Sequence, residues 1–151
     1  MKNSRSAFTM IELIFVIVIL GILAAAAIPK LMATRNDAEA SVKAQNIMCG
    51  ASEIAAYATS NGLTENNLTD MSNSLTILSN SGDATFPTKK AIIKAGSRQD
   101  CVTLEILTGT NDDNLTISFG SANGDKDCLA LQSLIDAEKY PIKLRGTYVK
   151  Y

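Results

Sequence analysis

Ala7-Phe8-Thr9-Met10-Ile11-Glu12-Leu13 opens an apolar run that reaches Ile28, and the rest of the chain is read outward from it. From Leu13 to Ile28 no side chain is charged or strongly polar. Counted from Phe8 the segment is about 20 residues, and at ~1.5 Å rise per residue such a helix crosses a ~30 Å hydrocarbon core. Glu12 breaks the pattern. A carboxylate at bilayer depth costs about 2.5–3.5 kcal/mol, so a partner and a task are expected for it. The nearest cations, Lys2 and Arg5, precede Ala7. A cut between Ala7 and Phe8 would create a new cation, the α-amino group of Phe8. Within one helix the backbone keeps that amine away from Glu12. In a staggered bundle of identical helices, the amine of one subunit can meet the carboxylate of the next and fix their axial register.

The stretch, its short basic leader and its apolar helix resemble the N-terminus of type IV pilins and the related pseudopilins of type II secretion. The resemblance covers residues 1–32, with Ala7 where Gly is commonest and Met10 where Leu is more frequent. It implies that a prepilin peptidase removes residues 1–7, that Phe8 is then N-methylated, and that Glu12 acts in assembly. Gly21 and Pro29 match the helix-breaking positions at which pilin helices loosen inside filaments. The implied fold is α+β, with one long N-terminal helix packed on a small antiparallel sheet. The implied organisation is a leader (1–7), a transmembrane and assembly helix (8–30) and a globular head (31–151) that includes the second half of the helix. The implied life history begins as a single-pass inner-membrane protein with a periplasmic head. An ATP-driven inner-membrane assembly platform then extracts it into a homo-oligomeric helical filament, together with minor pilins or pseudopilins. Such filaments serve secretion, adhesion and motility, or DNA uptake. The alternative is an ordinary secretory signal: Lys2, Arg5, the apolar core and Ala24–Ala27 fit one, and would leave a soluble exported binding domain starting near Ile28. Glu12 inside the apolar core argues against that alternative.

Composition narrows the remaining classes. The 151 residues carry a net charge of −1, with no His and no Trp. Such a balance gives no footprint for nucleic acid. Lack of His removes the commonest general base and zinc ligand. The many Ser residues stand in no Gly-x-Ser-x-Gly or Ser-x-x-Lys context, so no catalytic constellation emerges and the chain reads as a structural subunit and not an enzyme. Of the three cysteines, Cys49 falls within the long helix, whereas Cys101 and Cys128 share the C-terminal half and are the expected disulfide pair in an exported chain. A C-terminal disulfide is also common among type IV pilins. Three free buried thiols are the alternative.

Along the chain, Pro29 lacks an N–H and should bend or loosen the helix, with Gly21 a second weak point. Arg35, Glu39 and Lys43 form an i, i+4 charge ladder. Ala40, Ala44, Ile47, Met48, Ala51, Ile54, Ala55 and Ala58 make one apolar stripe, the face expected to receive a sheet. Asn61-Gly62 reads as the helix stop, giving a helix of ~80 Å from Phe8. Residues 63–100 are poorly patterned. Leu75–Leu78 reads as a short turn or helix, and Ala91-Ile92-Ile93 as a short helix or edge strand. Strand signals begin at Cys101 and recur over Leu115–Phe119, with a turn at Gly109–Asn114. A short helix is expected over Cys128–Glu138, and a last strand with Ile142, Leu144 and Tyr148.

Two further sets of residues are candidates for ligands or modification. Asp112, Asp113, Asp125 and Asp127 lie in two turns that neighbouring strands could bring together. Some secretion pseudopilins hold calcium in such loops, with oxygen ligands of this kind. Solvated turn acids are the other reading. Asn67-Leu68-Thr69 and Asn114-Leu115-Thr116 satisfy the N-x-[ST] acceptor rule, each with an acid two residues before the Asn.

Overall fold

The computed structural model describes residues 8–109 and 112–144, apart from the Ala33 side chain. The leader, including Lys2, Arg5 and Ala7, lies outside the described residues, as does Tyr148. The first element, α1 (Met10–Asn61), runs unbroken through Gly21 and Pro29. The chain divides into two compact units, Met1–Asn36 and Asp37–Tyr151.

The C-terminal unit is an α+β sandwich of helix on sheet. After α1 come α2 (Leu68–Met71), α3 (Asn73–Asn80), β1 (Ala84–Thr85), β2 (Lys90–Ala95), β3 (Arg98–Thr108), β4 (Asp113–Phe119), α4 (Lys126–Ser133), a 3₁₀ turn (Ala137–Lys139) and β5 (Ile142–Lys143). The five described strands pair in sequence order and all antiparallel. Short connections join β1 to β4 in turn, and the longer connection through α4 and the 3₁₀ turn returns the chain to pair β5 beside β4. The stripe on α1 forms its half of the core: Ala40, Ala44, Ile47, Ala51, Ile54 and Ala58 are buried against Ala91, Ile93, Leu104, Ile106, Leu115 and Ile117 of the sheet. The small residues on α1 let the backbones approach, and the large ones interdigitate across the layer. Gly50 lets α1 approach α3 closely. A Cβ there would lie 2.7 Å from Leu75 Cγ, a fully buried side chain of α3.

The helix stop falls where expected. Gly62 has φ +71°, and its N–H donates to Ala58 O at 2.9 Å. A left-handed glycine just past the last turn closes the helix at little steric cost.

Four expectations are corrected. Ala91–Ile93 belongs to neither a helix nor an edge: β2 is flanked by β1 and β3, and Ala91, Ile93 and Ala95 alternate inward. Alanine at two of the three buried positions hid the period. β3 begins at Arg98, before Cys101, because the hairpin turns at Gly96 (φ +55°). The helix expected over Cys128–Glu138 starts earlier and stops at Ser133, since Asp125 caps it and the chain turns again at Ala137–Lys139. Of the Gly109–Asn114 turn, Asp113 and Asn114 are already in β4, and residues 110–111 lie outside the described residues.

Candidate functional site

At the start of α1, Thr9 is the last non-helical residue and Glu12 lies in the first turn. The two side chains close on each other. Thr9 N–H donates to Glu12 Oε2 at 2.8 Å, Thr9 Oγ1–H donates to the same oxygen at 2.7 Å, and Glu12 N–H reaches Thr9 Oγ1 at 3.4 Å. This is a capping box: Thr-x-x-Glu satisfies helix-end N–H groups that have no intrahelical acceptor. The carboxylate also sits at the positive end of the helix dipole. Sequence reasoning singled out Glu12 and missed Thr9, although the Thr-x-x-Glu spacing ahead of an apolar run is the signal that finds it.

Behind the box, every described side chain from Phe8 to Met32 is exposed. Phe8 is 86% exposed, and Phe15, Ile22 and Leu23 are each above 60%. The helix holds a stretch long and apolar enough to cross a membrane, and none of that stretch is buried. Exposed leucine, isoleucine and phenylalanine around the whole circumference of a helix is the pattern of a segment solvated by lipid or by other helices. Gly21 has open space where a side chain would be. Lys43, the last member of the expected charge ladder, reaches across to the sheet: its Nζ pairs with Asp83 at 2.9 Å and donates to Lys94 O at 3.5 Å.

The four acids proposed for calcium do not come together. Asp113 opens β4, whereas Asp125 and Asp127 follow its far end, so the length of the strand separates the two pairs. Asp113 is buried and accepts from Thr64 Oγ1 at 2.6 Å, and Lys89 Nζ donates to that hydroxyl at 3.2 Å. Asp112 pairs with Lys143 at 3.5 Å. Asp125 is filled by protein donors: Ser97 N–H (2.8 Å), Ser97 Oγ–H (2.6 Å), Asp127 N–H (3.0 Å) and Cys128 N–H (3.0 Å). It therefore ties the β2–β3 turn to the start of α4. No group of three or more potential ligands that could hold a metal occurs among the described residues.

The Ser97 hydroxyl, followed by the Cys128, Ser97 and Asp127 N–H groups, holds the Asp125 carboxyl down to about 2, from an ordinary 3.8. Because the folded value is the lower one, this tie contributes its full stability above pH 3.8 and loses it as the pH falls through about 2. Asp125→Asn is therefore expected to lower the melting temperature at pH 6 and to flatten its fall below pH 4, as followed by circular dichroism.

The two acceptor asparagines differ. Asn67 is exposed and precedes α2, its Nδ2 donating to Asp70 at 3.2 Å. Asn114 is half-buried in β4, paired with Leu107 on one side and Lys143 on the other. Cys101 and Cys128 are joined by a disulfide with Cα atoms 5.6 Å apart, and Cys49 is free and half-buried. Gln132 reinforces the same corner, its Nε2 donating to Cys101 O and Gly120 O, both at 2.9 Å. Glu53 is a tie that the sequence did not reveal. Its carboxylate accepts from Ser72 Oγ (2.6 Å), Ser74 N–H (3.1 Å) and Ser74 Oγ (3.0 Å). These donors, led by the Ser72 hydroxyl, depress its pKa and fasten α3 to α1.

A family model described as the prokaryotic N-terminal methylation motif matches residues 2–28. No curated protein and no solved structure gives a significant match to the chain. The motif indicates a processed structural subunit, and with the exposed apolar helix it indicates a membrane-anchored precursor. Residues 2–28 carry the prepilin-type cleavage and methylation motif of type IV pilins and pseudopilins, and the chain is pilin-like in both this motif and its α+β fold.

Proposed function

We propose that this chain is the repeating subunit of a helical filament of the type IV pilus or secretion pseudopilus kind. Prepilin peptidase cuts between Ala7 and Phe8, and the exposed amine of Phe8 is methylated. Until assembly, Phe8–Lys30 anchors the subunit in the inner membrane with residues 31–151 in the periplasm. An inner-membrane platform then draws subunits out, side by side with their own copies and with minor subunits, into a filament in the periplasm or at the cell surface. The anchor helices form the core, Glu12 of one subunit meets the Phe8 amine of the next, and Gly21 and Pro29 supply compliance. The observation that carries this reading is the placement of one carboxylate, Glu12, at the head of a helical segment, Phe8 to Ile28, that is otherwise uncharged and exposed on every side.

Supporting it is the energetic fit between lipid and filament core. Moving such a helix from acyl chains to a bundle of like helices changes its apolar surroundings little, so packing and the single ion pair decide the register. Mass spectrometry of the N-terminal peptide from membrane and surface fractions tests the pathway. The expected species begins at N-methylated Phe8. A mature chain beginning near Ile28 would return the protein to the class of soluble exported domains.

A further inference from the structure

The docking reading assigns Glu12 to a neighbour's amine, yet within its own subunit this carboxylate is already engaged. Both Thr9 donors converge on Oε2, and no hydrogen bond to Oε1 occurs among the described residues. We infer that Thr9 is the positioning residue for Glu12: it anchors Oε2 on the helix's own N-terminus and leaves Oε1 as the oxygen offered to the amine of the next copy.

The inference rests on the docking role proposed above and adds to it a division of labour between the two oxygens. A carboxylate that accepts two hydrogen bonds from its own chain loses less on leaving water, so Glu12 is tolerated at the head of the anchor. Its rotamer is fixed before the encounter, so the ordering cost of a long side chain is not levied at docking. Leader removal leaves the box in place. The Thr9 N–H belongs to the Phe8–Thr9 peptide bond, which survives a cut between Ala7 and Phe8, and methylation falls on the amine one residue away. The same device therefore serves precursor and mature subunit, and the amine that Glu12 is to meet is the only new group.

Two measurements on the full chain test this. In the first, amide exchange is followed on the processed monomer in detergent micelles. The Thr9 amide is expected to be protected, and Glu12→Ala is expected to speed its exchange about tenfold, whereas Glu12→Gln, whose amide oxygen also accepts, preserves most of the protection. In the second, processing and filament yield are compared in cells. Thr9→Val, isosteric but without the hydroxyl, is expected to be cleaved to the same N-terminus and to assemble about tenfold less, and Thr9→Ser to restore assembly. An unprotected Thr9 amide in the wild-type monomer would overturn the inference. So would Thr9→Val assembling like the wild type while Glu12→Ala fails, which leaves the docking role standing without Thr9. Normal filaments from Glu12→Ala would remove the docking role and the positioning role together.

Discussion

Glu12→Ala is expected to leave cleavage at Ala7/Phe8 intact and to reduce filament formation by on the order of a hundredfold or more. Two effects oppose each other in this variant. Alanine is a better helix former than glutamate and inserts into a bilayer more easily, so anchoring and access to the peptidase do not suffer. The loss falls on the assembled state, where the neighbour's Phe8 amine is left without a counter-charge in a core of apolar helices. Removing one partner of a buried ion pair costs about 3–5 kcal/mol, because the remaining charge is stranded. Every subunit interface in a filament repeats that cost, so the assembled state is lost over its whole length. The measurement is the ratio of sheared or crosslinked polymer to processed monomer, with the mature N-terminus verified by mass. Normal polymer from Glu12→Ala would mean that the register is set by apolar packing alone.

Much of this was legible because the strongest constraints are local. An apolar run of bilayer length, one acid within it and a possible cut four residues earlier are all properties of consecutive residues. The same holds for the α1 stripe: Ala40, Ala44, Ile47, Ala51, Ile54 and Ala58 recur at helical spacing, and all are buried. Legibility failed where the determinant lies across space. The carboxylate of Glu53 caps α3 through Ser72 and Ser74, about twenty residues away in sequence, and no periodicity announces it. β2 was obscured because its inward residues include Ala91 and Ala95, whose small side chains contribute little to an apolar pattern although the register buries them. The four acids lie in two segments that neighbouring strands could have brought together, but the pairs sit at opposite ends of β4, and an extended strand of seven residues carries its ends some 20 Å apart. Thr9 is a different kind of miss. Its Thr-x-x-Glu spacing is a local signal, but a lone carboxylate in an apolar run points to a cation in another subunit, whereas its nearest partner is the hydroxyl and N–H at the start of its own first turn.

Replacing both Cys101 and Cys128 with alanine is expected to destabilise the C-terminal unit by roughly 3–4 kcal/mol, lowering its melting temperature by roughly 10–15 °C. The bridge spans 27 residues of sequence, from the beginning of β3, through β4, to the beginning of α4. Closing a loop of that size removes much of the freedom of the unfolded chain. The folded corner does not depend on the bridge alone. Asp125 holds Ser97, and Gln132 holds Cys101 O and Gly120 O, so α4 stays docked in the folded variant. The loss should therefore appear in the unfolding equilibrium, with the circular dichroism of the folded state unchanged. Thermal melts of processed protein in detergent, with Cys49 retained, give the test, and reductant added to the wild type should reproduce much of the shift. An unchanged melting temperature would overturn the expectation that the bridge stabilises this unit by restraining its unfolded chain. Because Thr9 and Glu12 lie in the other compact unit, the monomer's capping box should be indifferent to this change. Filament yield in the cysteine-free variant should then fall only as far as unfolded subunits are lost to proteolysis. That pattern separates a subunit that cannot fold from one, such as Glu12→Ala, that folds and cannot dock.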